Sequence, residues 1–104
     1  MHRAEALRDE AQRAGDQAYG AVVLRGGLIV GAAPSRVVTA KDPSAHAEME
    51  AIRDAARQLG TRDLSGSVLV STSRPCRMCE TAARGAGISR LIYGPALTDG
   101  GAPS

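Results

Sequence analysis

Phenylalanine and tryptophan are absent from this sequence, and only two tyrosines stand in for them. Leu, Ile and Val together number 19 of 104 residues. So thin a supply of large apolar side chains excludes a big core. The length allows one domain, 1–104, with its core at about 4–94 and a tail at 95–104. Disorder is excluded as well, because it needs a high net charge, and here 13 basic and 11 acidic residues leave only +2. No apolar run approaches the ~20 residues of a membrane span, and Met1-His2-Arg3-Ala4-Glu5 opens no signal-peptide core. A cytoplasmic protein without membrane contact is therefore expected. Two cysteines are too few for a disulfide scaffold and read as a metal-binding or redox pair. The cations, twelve of them Arg, are interleaved with acids and form no basic stripe, so no nucleic-acid partner is expected. What is abundant is alanine, which suits helices packed closely on a sheet.

Leu7, Ala11, Ala14 and Ala18 recur at a helical period, predicting a helix over residues 4–17. Ala21-Val22-Val23-Leu24 and Leu28-Ile29-Val30 read as strands joined through Gly26-Gly27, a two-residue loop that tolerates positive φ. Residues 33–41 read as a loop. Asp42-Pro43-Ser44 has the composition of a helix start, and that helix runs through Met49, Ile52, Ala56 and Leu59 to Gly60. Val68-Leu69-Val70 is a third strand, Cys76 to Ala86 a further helix, and Leu91-Ile92-Tyr93 the last strand. Residues 98–104 read as a frayed tail. The order α-β-β-α-β-α-β predicts an α/β protein, a three-layer α-β-α sandwich.

Three side chains stand out as ligands for a borderline-soft cation: His46, Cys76 and Cys79. The cysteines are three apart at a helix start, so both thiols lie on its first turn, where the dipole favours thiolate. His46 lies near the start of the other central helix. If the two helix starts meet, one imidazole and two thiolates fill three of zinc's four tetrahedral positions, and three protein ligands are the catalytic pattern. The only other strong N or S donor is His2, at the terminus. Glu48 is two residues beyond His46. Positions two apart on a helix point about 200° from each other, so the pair can share a site only end-on, at the helix N-terminus. A carboxylate there can move protons beside a metal without ligating it.

His46-Ala47-Glu48 followed, 28 residues after Glu48, by Cys76 in Pro75-Cys76-Arg77-Met78-Cys79 resembles the H-x-E…P-C-x-x-C signature of the zinc-dependent cytidine/deoxycytidylate deaminase superfamily. Asp42-Pro43-Ser44-Ala45-His46-Ala47-Glu48, Ala51-Ile52-Arg53, Leu59-Gly60, Asp63-Leu64-Ser65-Gly66 and Tyr19-Gly20-Ala21-Val22-Val23 are similar to its guanine deaminase and tRNA adenosine deaminase branch. The resemblance spans about residues 4–94. It implies a cytidine deaminase-like fold, one Zn2+ per chain held by His46, Cys76 and Cys79, and Glu48 as the proton carrier in a hydrolytic deamination that releases ammonia. It also implies a homo-oligomer, a dimer first.

Three departures from the branch bear on substrate. Ser35 stands where the branch has an Asn that bonds the base, and Ser lacks the paired amide donor and acceptor. Arg74 stands where the branch has Glu, reversing a charge at the mouth of the site. The further helix, strand and helix that the resemblance places beyond Tyr93 are not in this sequence, so a more open pocket is expected. Ser35 and backbone groups near Ala47 are the expected substrate contacts. The substrate expected is a small amino-substituted nucleobase or nucleoside, guanine-like first. The alternatives are cytosine or cytidine, tRNA adenosine, a non-catalytic zinc module, and a thiol–disulfide protein built on Cys76 and Cys79.

Overall fold

The computed structural model describes residues 2–104. Helix α1 (His2–Arg13) is followed by β1 (Gly20–Arg25) and β2 (Leu28–Pro34), then α2 (Ala47–Leu59), β3 (Val68–Ser71), α3 (Arg77–Ala86), β4 (Arg90–Tyr93) and β5 (Thr98–Gly101). The strands form one mixed sheet in the order β2-β1-β3-β4-β5. β1 is antiparallel to both β2 and β3, β3 runs parallel to β4 across the α3 connection, and β5 returns antiparallel to β4.

The expected three layers are present. Strand periodicity sends Ala21, Val23, Leu69 and Leu91 to one face, where they pack with Ala47, Ala51 and Ala55 of α2 and Ala83 of α3. Val22 and Val70 point to the other face and meet Leu7 of α1. Alanine makes the volume of the first layer small and its spacing tight. At Gly31 on β2, a Cβ would sit 2.5 Å from the Ala51 carbonyl oxygen and 2.6 Å from the Ala55 nitrogen, so only glycine lets α2 lie this close. The hairpin turn is as expected, with Gly26 and Gly27 at φ of 58° and 78°, the primed-turn geometry.

Four boundaries differ from the sequence reading. α1 ends at Arg13, because Gly15 turns left-handed (φ 80°), and Ala14 and Ala18 are exposed beyond it. β2 extends through Ala33 and Pro34, since Gly20 and Ala21 of β1 are there to pair with them. α2 begins at Ala47 rather than at Asp42. The Asp42 carboxylate accepts from the Ser44 N–H (2.8 Å) and hydroxyl (2.7 Å), closing a turn of its own instead of capping the helix. The tail is not frayed: Thr98–Gly101 forms β5, Arg90 pairs with Asp99, and Ser104 donates its N–H and hydroxyl to Glu80 at 2.9 Å each. Among the described residues no helix is long and apolar enough to cross a membrane.

Candidate metal centre and active site

The sheet places the N-termini of α2 and α3 side by side. His46 is the N-cap residue of α2 and Cys76 that of α3, both with extended backbone and neither giving its side chain to a capping hydrogen bond. A residue in that position normally satisfies a first-turn N–H; here the side chains are left free for each other. His46 Nδ1 lies 3.6 Å from Cys76 Sγ and 3.5 Å from Cys79 Sγ, and the two sulfurs are 3.6 Å apart.

Those distances discriminate between two chemistries. A disulfide holds its sulfurs at about 2.05 Å, so the pair is not one. With metal–sulfur and metal–nitrogen bonds of about 2.3 and 2.05 Å, the corners of a tetrahedron are about 3.5–3.8 Å apart, which matches all three separations. The donor set therefore fits zinc. The expectation that the helix dipole keeps the thiols ionised needs correction at Cys79. Burial, the Glu48 carboxylate and Cys76 push its thiol well above the ordinary range, and the Met49 N–H pulls only weakly the other way. The thiolate needs a cation among the three ligands.

Glu48 is 5% exposed, on the first turn of α2. It lines the same cavity, of about 290 Å³, as His46 and Cys76, which is the end-on arrangement the spacing requires. Burial pushes its carboxyl up, against the opposing pull of its own N–H and of His46. Ser73 and Arg74, from the segment leading into α3, and Gln17 and Tyr19, from the segment between α1 and β1, complete the lining.

The two expected substrate contacts fare differently. Ala47 buries its methyl in the core, so only its backbone is available to a ligand. Ser35 is outside the cavity lining and buried. Its hydroxyl donates to Asp16 Oδ1 at 3.1 Å, and that carboxylate also accepts from the N–H groups of Gln17 (2.8 Å), Val38 (3.3 Å) and Thr39 (2.8 Å). Burial raises the Asp16 carboxyl, but the N–H donors of Thr39, Gln17 and Val38 outweigh it and bring the pKa down to about 2. Asp16 thus ties the α1–β1 segment to the loop that leads toward His46. Sequence reasoning missed Asp16, Gln17 and Tyr19 as parts of the site. The available signal was a polar pair, Asp16-Gln17, just beyond the helix-ending Gly15.

Residues 1–95 match the model of the cytidine and deoxycytidylate deaminase zinc-binding region. The chain belongs to this zinc-binding deaminase family. It is 43% identical over 91 residues to a tRNA-specific adenosine deaminase of Aquifex aeolicus, a match covering 85% of this chain and 60% of the relative. It is 41% identical over 103 residues to a tRNA(Ile)-lysidine synthase of Deinococcus deserti, where 98% of this chain corresponds to 19% of the relative. The crystal structure of guanine deaminase from Bacillus subtilis superposes with a TM-score of 0.85 at 36% identity, over 89% of this chain and 60% of that one. The chain thus spans 60% or less of the length of each of these proteins. The family's zinc-binding character agrees with the His46, Cys76 and Cys79 cluster, whose ligand atoms all lie within 4.8 Å of one another.

Proposed function

We propose that the protein is a zinc-dependent hydrolytic deaminase of a small amino-substituted heterocycle, a nucleobase or nucleoside, guanine-like first. The observation that carries this reading is a three-ligand zinc set with a buried, non-ligating carboxylate in the same cavity. His46, Cys76 and Cys79 hold the metal, which when bound activates a water by lowering its pKa toward neutrality. Glu48 supplies the proton traffic. Its carboxylate takes one proton from the attacking water and delivers it to a ring nitrogen, then takes the second from the hydroxyl so added and passes it to the departing amine, so that the carbon–nitrogen bond breaks, ammonia leaves and a carbonyl replaces the amino group. Its burial serves this cycle, because a carboxyl whose pKa is raised toward neutrality is a stronger base when ionised and still an acid once protonated, so it can both accept and donate. The first-turn backbone of α2 at Ala47 offers an N–H to the bound ring.

A small ligand is favoured over a polynucleotide by the lining itself. The cavity offers Tyr19 as its one aromatic and Arg74 as its one cation, too little to stack and hold flanking nucleotides. Deamination of tRNA adenosine is the second reading, favoured by the 43% identity to the adenosine deaminase. Ammonia release by zinc-loaded protein, measured on guanine, adenosine, cytidine and an anticodon stem-loop, tests both. Turnover of a free base or nucleoside is expected. Preferred turnover of the stem-loop, falling steeply with salt, would replace the first reading with the second. No turnover of any of them would leave a zinc-binding module. A homo-oligomer, a dimer first, belongs to the same reading, since Leu28, Ile29 and Met78 remain exposed. A monomer at every concentration in sedimentation velocity would remove it.

A further inference from the structure

Recognition of a heterocycle's edge requires a polar side chain that faces the cavity, carries a donor and an acceptor side by side, and is not already committed within the protein. Ser35 meets none of these conditions, because it lies outside the lining and gives its hydroxyl to Asp16. Within the lining, His46 and Cys76 belong to the metal cluster and Glu48 to proton transfer. Arg74 only donates, and Tyr19 and Ser73 each offer a single rotatable hydroxyl. Gln17 alone brings a planar carboxamide, with C=O and NH₂ adjacent. No hydrogen bond engages that amide among the described residues, yet its backbone is anchored on both sides. The Gln17 N–H donates to Asp16, and its carbonyl accepts from the Tyr19 N–H at 2.8 Å.

We propose that Gln17 reads the ring edge of the substrate, and that the Asp16–Ser35 hydrogen bond, which withdraws residue 35 from the cavity, is what leaves that part to it. This rests on the deaminase reading above and narrows its substrate class. A carboxamide pairs best with a ring N–H beside a lone pair. Adenine carries one as N9–H next to N3 and cytosine as N1–H next to O2; in guanine N3 is the nitrogen that takes the proton from Glu48, so there the carboxamide oxygen accepts from N9–H alone. Attachment of a sugar removes the N–H. Gln17 therefore selects free amino-bases over their nucleosides.

The test is ammonia release by zinc-loaded wild type, Gln17→Leu and Gln17→Glu on matched pairs: guanine and guanosine, cytosine and cytidine, adenine and adenosine. Wild type is expected to favour the base of the pair it turns over. Gln17→Leu, similar in shape, should lower kcat/KM for that base by about two- to tenfold, the range of one neutral hydrogen bond, mainly through KM. It should lower the nucleoside's kcat/KM by less, so that the base-to-nucleoside ratio falls, with zinc content unchanged. A base-to-nucleoside ratio equal in wild type and Gln17→Leu would overturn the inference while leaving the deaminase standing. If no pair releases ammonia, the deaminase reading itself fails. The inference is then decided by the side-chain NH₂ resonance of Gln17 in wild-type protein, titrated with the three free bases. A shift with any base supports edge reading, and no shift with all three overturns it. The same titration decides the matter if the variants do not fold.

Discussion

The metal-binding part of the cavity and the part lined by Gln17 and Tyr19 are built in opposite ways. His46 and Cys76 are helix N-caps, and Glu48 and Cys79 belong to the first turns of the same helices, so regular backbone fixes all four relative to the sheet. Gln17 and Tyr19 lie in irregular backbone between α1 and β1, and a single carboxylate, Asp16, ties that segment to the loop before His46. The first arrangement needs a cation to complete it, because its buried thiol is otherwise held protonated. The second is complete in itself, because every donor around Asp16 finds its acceptor. Under the proposed function, chemistry and recognition are thereby separable: one depends on metal, the other on a hydrogen-bonded knot.

The largest expected effect comes from breaking the metal part. Cys79→Ala should abolish the one bound zinc per chain and lower the melting temperature by roughly 10 °C or more, because metal binding in a small alanine-rich core carries folding free energy. Metal analysis and calorimetry check this, and full cooperativity with an unchanged melting temperature would contradict it. Next in size, Glu48→Gln should keep zinc and fold but lose turnover by at least ~100-fold, since an amide of the same shape cannot take up a proton at neutral pH. Loss of zinc from that variant would make Glu48 a ligand instead.

Asp16→Ala sharpens the comparison from the other side. Removing a carboxylate from four donors should cost about 2–3 kcal/mol in urea unfolding at pH 7 while leaving zinc stoichiometry intact. The effect has a pH signature. The folded pKa of Asp16, about 2, lies below that of an ordinary aspartate, so its stabilisation is present above the unfolded value and is lost as pH falls toward 2. Wild type and variant should therefore converge in stability on acidification, and a gap as wide at pH 2 as at pH 7 would exclude the carboxylate as the cause. The smallest effect belongs to Ser35→Ala, which removes one of those donors. About 1 kcal/mol of stability and no change in the ranking of substrates are expected. A changed ranking would return Ser35 to the substrate.

The metal part was legible in the sequence because it is built from rare residue types at fixed helical offsets. His46, Glu48, Cys76 and Cys79 can be placed on helix starts without knowing anything distant in the chain. The hairpin was legible for the same reason, with two glycines between two apolar runs. The tail was misread because Thr98 to Gly101 has no strand composition of its own; it pairs because β4 presents an open edge to it. Asp42 was misread as a cap because a turn and a helix start use the same side-chain chemistry, and the choice falls on whichever N–H is nearer. The Asp16 knot was invisible for a different reason. Its partners lie 19 to 23 positions away at Ser35, Val38 and Thr39, and three of its four donors are backbone groups that no residue type announces.

The close seating of α2 on β2 at Gly31 carries a lesson about which substitutions this chain can accept. Positions 31, 51 and 55 hold glycine and alanine and lie outside the lining of the metal-site cavity, yet enlarging Gly31 would lift the helix that His46 caps and whose first turn carries Glu48. In a saturation-mutagenesis map scored by zinc retention, these spots should be nearly as intolerant as the ligands themselves. The bulkier Leu28 and Ile29 on the exposed end of the same strand should accept most replacements. Here mutational fragility follows smallness, the reverse of the usual pattern in which the largest core side chains are the hardest to replace.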